Sequence, residues 1–362
     1  MRGAPDPQLA MLTSLSTEDL IPADHPIRKI RAVVDVVLGD LDDVFDGMYA
    51  ERGRASVPPE TLLKATVLMA MYSIRSERAF CERLNYDLLF KWFLDMRIDQ
   101  PAFDATTFTK NRKRLLDHAV ADEFFAAVVR QAKLRRYVSS DHFSVDGTLL
   151  QAWASHKSFK PKDGPPTGPP AGRNAEVQWH GQKRSNDTHA STTDPESRLY
   201  RKSFNTAATL CYSGHLLMEN RNALIVDAEL TTADGYAERA TAIDMLTRLP
   251  TAARRRTVAG DKGYDTKGFI ADARELGFTP HVAQNVSGHR RSAIDGRTTR
   301  HDGHQVSMRI RKRIEEPFGW IKTIGGGRKL RYIGRERNRA WFKITAAVYN
   351  LIRITALDAQ PT

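Results

Sequence analysis

The sequence predicts a mixed α/β fold preceded by an all-α N-terminal domain. Apolar residues recur at helical spacing through residues 1 to 138, whereas from 142 onward short β-prone runs alternate with helical ones. Two aspartates, Asp146 and Asp261, fall in or at the end of strand-like runs, and Glu315 lies in a helical run beyond them. The chain thus divides into a helical domain over residues 1–138 and an α/β domain over 139–357, the latter with a long irregular insert at about 156–204.

The helical region opens after His25-Pro26, where Ile27, Ile30, Val33, Val34, Val37 and Leu41 repeat at helical intervals. Pro58-Pro59-Glu60 starts a second run through Leu62, Leu63, Val67 and Met71, since a proline in the first turn lacks only an amide that would be unpaired anyway. A third run follows Ser76, with Phe80, Leu84, Leu88 and Leu89 inward. Phe90, Trp92 and Phe93 are expected in the core rather than as a base-stacking platform. Residues 103 to 115 begin with cap-type residues and turn basic, as a helix presenting Lys110, Arg112, Lys113 and Arg114 would. Phosphate contact and a solvated basic face are both open readings of it.

The first strand is predicted over residues 142 to 150, where Phe143 and Val145 alternate with polar positions up to a turn at Gly147. Proline and glycine crowd residues 161 to 172, which cannot sustain a helix or a central strand. After them Trp179, His180, Gln182, Lys183, Arg184, Ser185 and Asn186 offer donors to DNA, or simply cover the sheet. Strand-like runs follow at 207–212, 216–218 and 224–226, then a helical run from Tyr236 to Leu249. The strand ending at Asp261 leads to a helix with Asp265 expected as its N-cap, and then to a short strand at 280–283. Residues 284 to 305 are polar and arginine-rich, which predicts a phosphate-facing loop, and 341–357 close as an amphipathic helix.

Glu315 has the richest surroundings. Met308, Arg311, Glu315 and Lys322 are three, four and seven residues apart, which puts all four on one face of a helix. Carboxylate oxygen suits a hard metal ion while arginine and lysine donate to phosphate. Pro317 lacks an amide hydrogen and clashes with the carbonyl four residues back, so the helix is expected to kink or restart near Glu315.

Composition narrows the partners. Lys and Arg number 55 against 43 acids, a net charge of +12 that favours a polyanion without telling DNA from RNA or anionic lipid. No run of 18 apolar residues and no signal-peptide core is present, so a soluble intracellular protein is expected. Cys81 and Cys211 belong to no CxxC pair, which predicts buried thiols and no zinc site. Gly325-Gly326-Gly327 lacks the Lys-Ser/Thr of a phosphate-binding loop, so no nucleotide cofactor is indicated, and the His301/His304 pair is a poor metal site.

These residues resemble the DDE transposases of bacterial insertion sequences. Arg311, Glu315 and Lys322 match the Tyr-2-Arg-3-Glu-6-Lys signature of one large branch, with Met308 in place of the tyrosine. Lys322 stands seven residues after Glu315, whereas Thr323 stands seven after Glu316, which singles out Glu315. Val145-Asp146-Gly147-Thr148 and Gly260-Asp261-Lys262-Gly263-Tyr264 look like the family's first two motifs, and separations of 115 and 54 residues suit a version without a large insertion. The resemblance implies an RNase H-like sheet with Asp146, Asp261 and Glu315 as catalytic metal ligands. Two Mg²⁺ (or Mn²⁺) ions are implied, about 3.5 to 4 Å apart. It further implies double-stranded DNA partners, namely terminal inverted repeats and target DNA, with a homodimer on that DNA in the bacterial cytoplasm and nucleoid. Arg311 and Lys322 would hold phosphates near the metals, with Lys110, Arg112, Arg114, Lys183 and Arg184 as further DNA contacts. A non-catalytic DNA-binding derivative, or a nuclease of the same fold that cannot join strands, are the rival readings.

Overall fold

In the computed structural model the described residues are 16–48, 56–162, 184–201, 205–286 and 291–360. Eight helices come first: α1 (Thr17–Leu20), α2 (Pro26–Gly39), α3 (Asp42–Asp46), α4 (Pro59–Met71), α5 (Glu77–Leu84), α6 (Leu88–Phe93), α7 (Thr106–Asp117) and α8 (Val120–Leu134). Side-chain caps start several of them. The His25 ring accepts from the Ile27 amide, Ser76 Oγ from that of Ala79, and Asp87 from that of Phe90, each satisfying an amide the helix cannot. Phe90, Trp92 and Phe93 are buried, as are both thiols.

The sheet follows. Its strands are β1 (His142–Gln151), β4 (Arg198–Tyr200), β5 (Thr209–Glu219), β6 (Ile225–Thr232), β7 (Arg256–Gly260) and β8 (Phe278–Val282), while β2 (Phe159–Pro161) and β3 (His189–Ser191) form a separate two-stranded ribbon. Helix α9 (Ala237–Thr247) joins β6 to β7, and α10 (Lys267–Glu275) joins β7 to β8. Then come α11 (Gly296–Thr299), α12 (Asp302–Ile310), α13 (Glu315–Lys322) and α14 (Arg335–Asp358). β5 is antiparallel to β1 and to β6, while β1, β7 and β8 run parallel. The order β6-β5-β1-β7-β8 with those directions is an RNase H-like sheet.

Side-chain alternation splits the core into two layers. Phe143 and Val145 of β1 pack with Leu217, α9 and α10 on one face. Leu150, Leu216 and Met218 face the other way, where one apolar cluster continues through α14 into α2, α4 and α8. Ser144, Asp146 and Thr148 share the face of Leu150 by the period of two.

Several local expectations change. Gly147 is no turn: β1 runs through it to Gln151 because β5 stays paired opposite, from Phe143↔Glu219 to Gln151↔Cys211. The runs at 207–212 and 216–218 are one strand, and the insert yields three short strands around residues 163–183, which lie outside the described residues. The polar stretch 284–305 is partly helical, as α11 and the start of α12. Thr266, not Asp265, caps α10, and Asp265 instead accepts from the amides of Asn285 and Ala293, at 2.6 and 2.8 Å. A cap needs only local geometry, whereas this buried carboxylate found long-range amides that no spacing reveals.

Candidate active site

Pairing of the parallel strands β1 and β7 ends at Ser144↔Ala259, and Asp146 and Asp261 each follow two residues later. Both charges act on the one buried Tyr264 hydroxyl, which brings them together although 115 residues separate them. β7 ends at Gly260, and Asp261 caps the 3₁₀ turn Lys262–Tyr264 by accepting from the Gly263 amide at 2.7 Å. Asp146 accepts from the Gly147 amide at 2.8 Å.

Glu315 comes to the same face from the other direction. The helical run from Asp302 switches to 3₁₀ over Arg311–Ile314 and restarts as α13 at Glu315, with Pro317 in its first turn, which is the restart the proline demands. Ile314, Phe318 and Ile321 are buried, so this stripe anchors the helix. Arg313 donates to the carbonyls of Asn220 and Arg221, beside the start of β1, and Lys322 Nζ donates to Thr148 Oγ1 at 2.5 Å. Arg313 and Lys322, on either side of Glu315 in sequence, thus both tie this segment to the β1 region. Glu315 is exposed, two turns before Lys322 on one stripe. Glu316 points elsewhere and accepts from the Tyr349 hydroxyl of α14 at 3.2 Å. Arg311 Nε is buried with no acceptor among the described residues, an orphan donor in the 3₁₀ turn before Glu315.

Below the two aspartates sits a residue the sequence did not flag. Glu238, in the first turn of α9, accepts from the Gly147 amide and the Tyr264 hydroxyl, and burial, reinforced by Asp261, raises its pKa. Tyr264 is buried, and its phenol is pushed well up by burial and by the charges of Glu238, Asp146 and Asp261. One hydroxyl therefore feels all three acids. Residues 236–249 were read as a helix only, and no spacing rule ties position 238 to position 147.

The remaining cations are scattered. Arg112 on α7 is paired with Glu77 and lies 4.6 Å over the Tyr332 ring, so it ties α7 to α5 and to the segment before α14. Arg114 donates to Asn111 Oδ1 at 3.1 Å, Lys110 is exposed on the same helix, and Arg184 is partly buried. Lys183 lies outside the described residues. At the β8 edge a cleft of about 500 Å³ is lined by Arg255, Arg274, Arg297, His281 and His301 against one acid, Asp295.

The donor set suits a hard divalent ion, since Asp146, Asp261 and Glu315 offer only carboxylate oxygen. Asp146 and Asp261 both act on the Tyr264 hydroxyl, a closeness such an ion needs. Among the described residues no three His, Cys, Asp or Glu side chains converge closely enough to enclose one. Among the described residues no helix is long and apolar enough to cross a membrane.

Comparison with known proteins gives two family matches. Residues 15–114 match the "Transposase domain (DUF772)" model and residues 140–351 match the "Transposase DDE domain" model. Among solved structures, the chain is similar to a piggyBac transposase synaptic complex with hairpin DNA, at 8% identity, TM-score 0.43, and 92% and 76% coverage of this chain and that one. It is also similar to a Mos1 transposase paired-end complex with left transposon end, at 10% identity, TM-score 0.20, and coverage of 76% and 83%. A pre-cleavage Mos1 transpososome follows at 9% identity, TM-score 0.21, and coverage of 87% and 84%.

Proposed function

Because the chain belongs to the transposase DDE domain family, whose model spans residues 140–351, we propose that it cleaves DNA at the ends of an insertion sequence and joins the freed ends to a target. The reading rests most on one relationship: Asp146 on β1 and Asp261 just past the end of the parallel β7 both act on the same buried Tyr264 hydroxyl. The partner is double-stranded DNA, first the terminal inverted repeats and then the target, bound by a homodimer.

Asp146, Asp261 and Glu315 would hold two Mg²⁺ (or Mn²⁺) ions. When bound, such ions lend Lewis acidity to the attacking and departing oxygens of a phosphodiester that otherwise repels nucleophiles. The chain's own residues do the positioning. Asp146 lies in mid-strand with β5 paired beside it, so its backbone cannot drift, and Asp261 is fixed by its own 3₁₀ turn. Arg311 carries a buried donor suited to a phosphate oxygen, and Lys322, held at Thr148, brings a cation to the same face. In the first reaction a water oxygen bonds to phosphorus and the bond to the 3′ oxygen breaks, leaving a 3′ hydroxyl at the element end. In the second that hydroxyl bonds to a target phosphorus and displaces a target 3′ oxygen. One phosphodiester replaces another, so no ATP is needed.

Incubating the protein with labelled terminal inverted repeats, a target plasmid and Mg²⁺, beside Asp146→Asn, tests this. Joined product that disappears in the variant is the expected result. Cleavage without joining would mean a nuclease, and binding without cleavage would mean a non-catalytic DNA-binding derivative.

A further inference from the structure

Glu238 answers a problem the topology creates at the active site. In β1 the odd-numbered residues turn their backbone groups toward β7, since the Thr257 amide donates to the Asp141 carbonyl. The even-numbered ones face β5, as the Asn220 amide donating to the His142 carbonyl requires. Pairing with β7 stops at Ser144↔Ala259, so the Gly147 amide looks toward a strand that has already turned away. Side chains take it instead: Asp146 accepts at 2.8 Å and Glu238 accepts as well, together with the Tyr264 hydroxyl. The approach is close: a Cβ on Gly147 would lie 2.8 Å from Glu238 Oε1, so only glycine admits the carboxylate there. The neighbouring Arg239 donates to the Gly263 carbonyl at 3.3 Å, two residues past Asp261. Tyr264 is itself locked, its ring 5.0 Å from that of Phe269 and its face against Gly260, where a Cβ would touch it at 3.0 Å.

We propose that Glu238 is a positioning residue that sets the separation of Asp146 and Asp261. It grips the backbone beside the first through Gly147 and the turn that carries the second through Tyr264, so one carboxylate on α9 spans both. The role rests on the metal-dependent reading of Asp146 and Asp261 and goes beyond it, because Glu238 acts through the Gly147 amide and the Tyr264 hydroxyl.

The test uses the full chain and Mn²⁺ alone, with free ion followed by electron paramagnetic resonance. Glu238→Ala should weaken Mn²⁺ binding about tenfold, the low end for loss of a group that orients metal ligands. Glu238→Gln keeps an oxygen acceptor and should recover most of that loss, which generic destabilisation would not do. Tyr264→Phe removes only the hydroxyl and should give a smaller loss in the same direction, and it decides the matter if Glu238→Ala does not fold by circular dichroism. Unchanged Mn²⁺ affinity in folded Glu238→Ala, or in Tyr264→Phe where the alanine variant does not fold, overturns the positioning role. Asp146→Asn and Asp261→Asn separate the two levels. If they lose Mn²⁺ and the Glu238 and Tyr264 variants do not, only the positioning role falls. If they too bind Mn²⁺ like the unaltered protein, the metal-centre reading falls with it.

Discussion

Lys322 Nζ donates to Thr148 Oγ1 at 2.5 Å, joining the residue seven after Glu315 to the residue two after Asp146. The bond fixes helix α13 along strand β1, and it separates two roles for the lysine. If the ammonium serves DNA, Lys322→Met should lower the slope of log K against log salt by about 0.9, one phosphate contact, for any duplex. Thr148→Val should cost about 1 kcal/mol of stability, one hydrogen bond, and leave that slope alone. Binding titrations at several salt concentrations and urea melts read the two effects separately.

Adjacent glutamates give the sharpest contrast. Both are exposed, but Glu316 holds the Tyr349 hydroxyl, whose pKa burial and then the Glu316 charge push up, whereas Glu315 stands seven residues before the Lys322 held at Thr148. Glu315→Gln should cost on the order of a thousandfold in strand joining, since a catalytic metal ion supplies several kcal/mol of charge stabilisation. Glu316→Gln should leave joining nearly intact and shift only thermal stability. Equal losses in both variants, measured in single-turnover assays, would rule out the assignment of Glu315.

Two buried histidines set a pH dependence. Burial lowers His215 and His281 from 6.5 to about 4, with nearby histidines adding to the effect at His281. Each stays neutral in the fold but takes a proton in the unfolded chain below pH 6.5, so the unfolded state binds more protons between pH 4 and 6.5. Their contribution is complete above 6.5 and is lost as pH falls toward 4. His215→Asn should flatten the slope of unfolding free energy in that window, measured by denaturant melts at stepped pH.

The charged network behind β6 makes a stability prediction. Arg339 bridges Asp122 of α8 and Glu229 of β6 at 2.7 and 2.8 Å, and the nearly buried Lys343 joins them at 2.6 and 3.3 Å. Arg339→Met removes one cation and leaves Asp122 with Lys343 alone, a lysine that Glu229 and Asp227 also share. The cost should be roughly 3 kcal/mol, as for other broken buried pairs. Asp122→Asn in that background should recover part of it, because it removes the uncompensated charge. A double-mutant cycle in urea gives both numbers.

Much of this was written in the sequence because its causes are local. Helical apolar spacing located α2, α4 and α5, Pro317 announced the restart at Glu315, and Glu315 was separated from Glu316 by where Lys322 falls. What stayed hidden depends on chain segments meeting. The continuation of β1 through Gly147 was invisible because it is β5, over 60 residues later, that keeps the strand extended. Glu238 carries no motif, and only the early end of β7 gives it an amide to satisfy. Arg112 read as a possible DNA contact because its partners, Glu77 and Tyr332, lie far away in sequence on either side.

The apolar cluster that runs unbroken from α2, α4 and α8 into α14 and the faces of β5 and β6 limits how this protein can be recombined with others. A graft of residues 16–134 onto a foreign sheet would leave Phe342, Val348 and Leu351 of α14 behind, and with them part of the apolar cluster those helices belong to. Exchange between relatives should therefore succeed only when the closing helix travels with the opening ones. The parts that would move together are not contiguous in the gene.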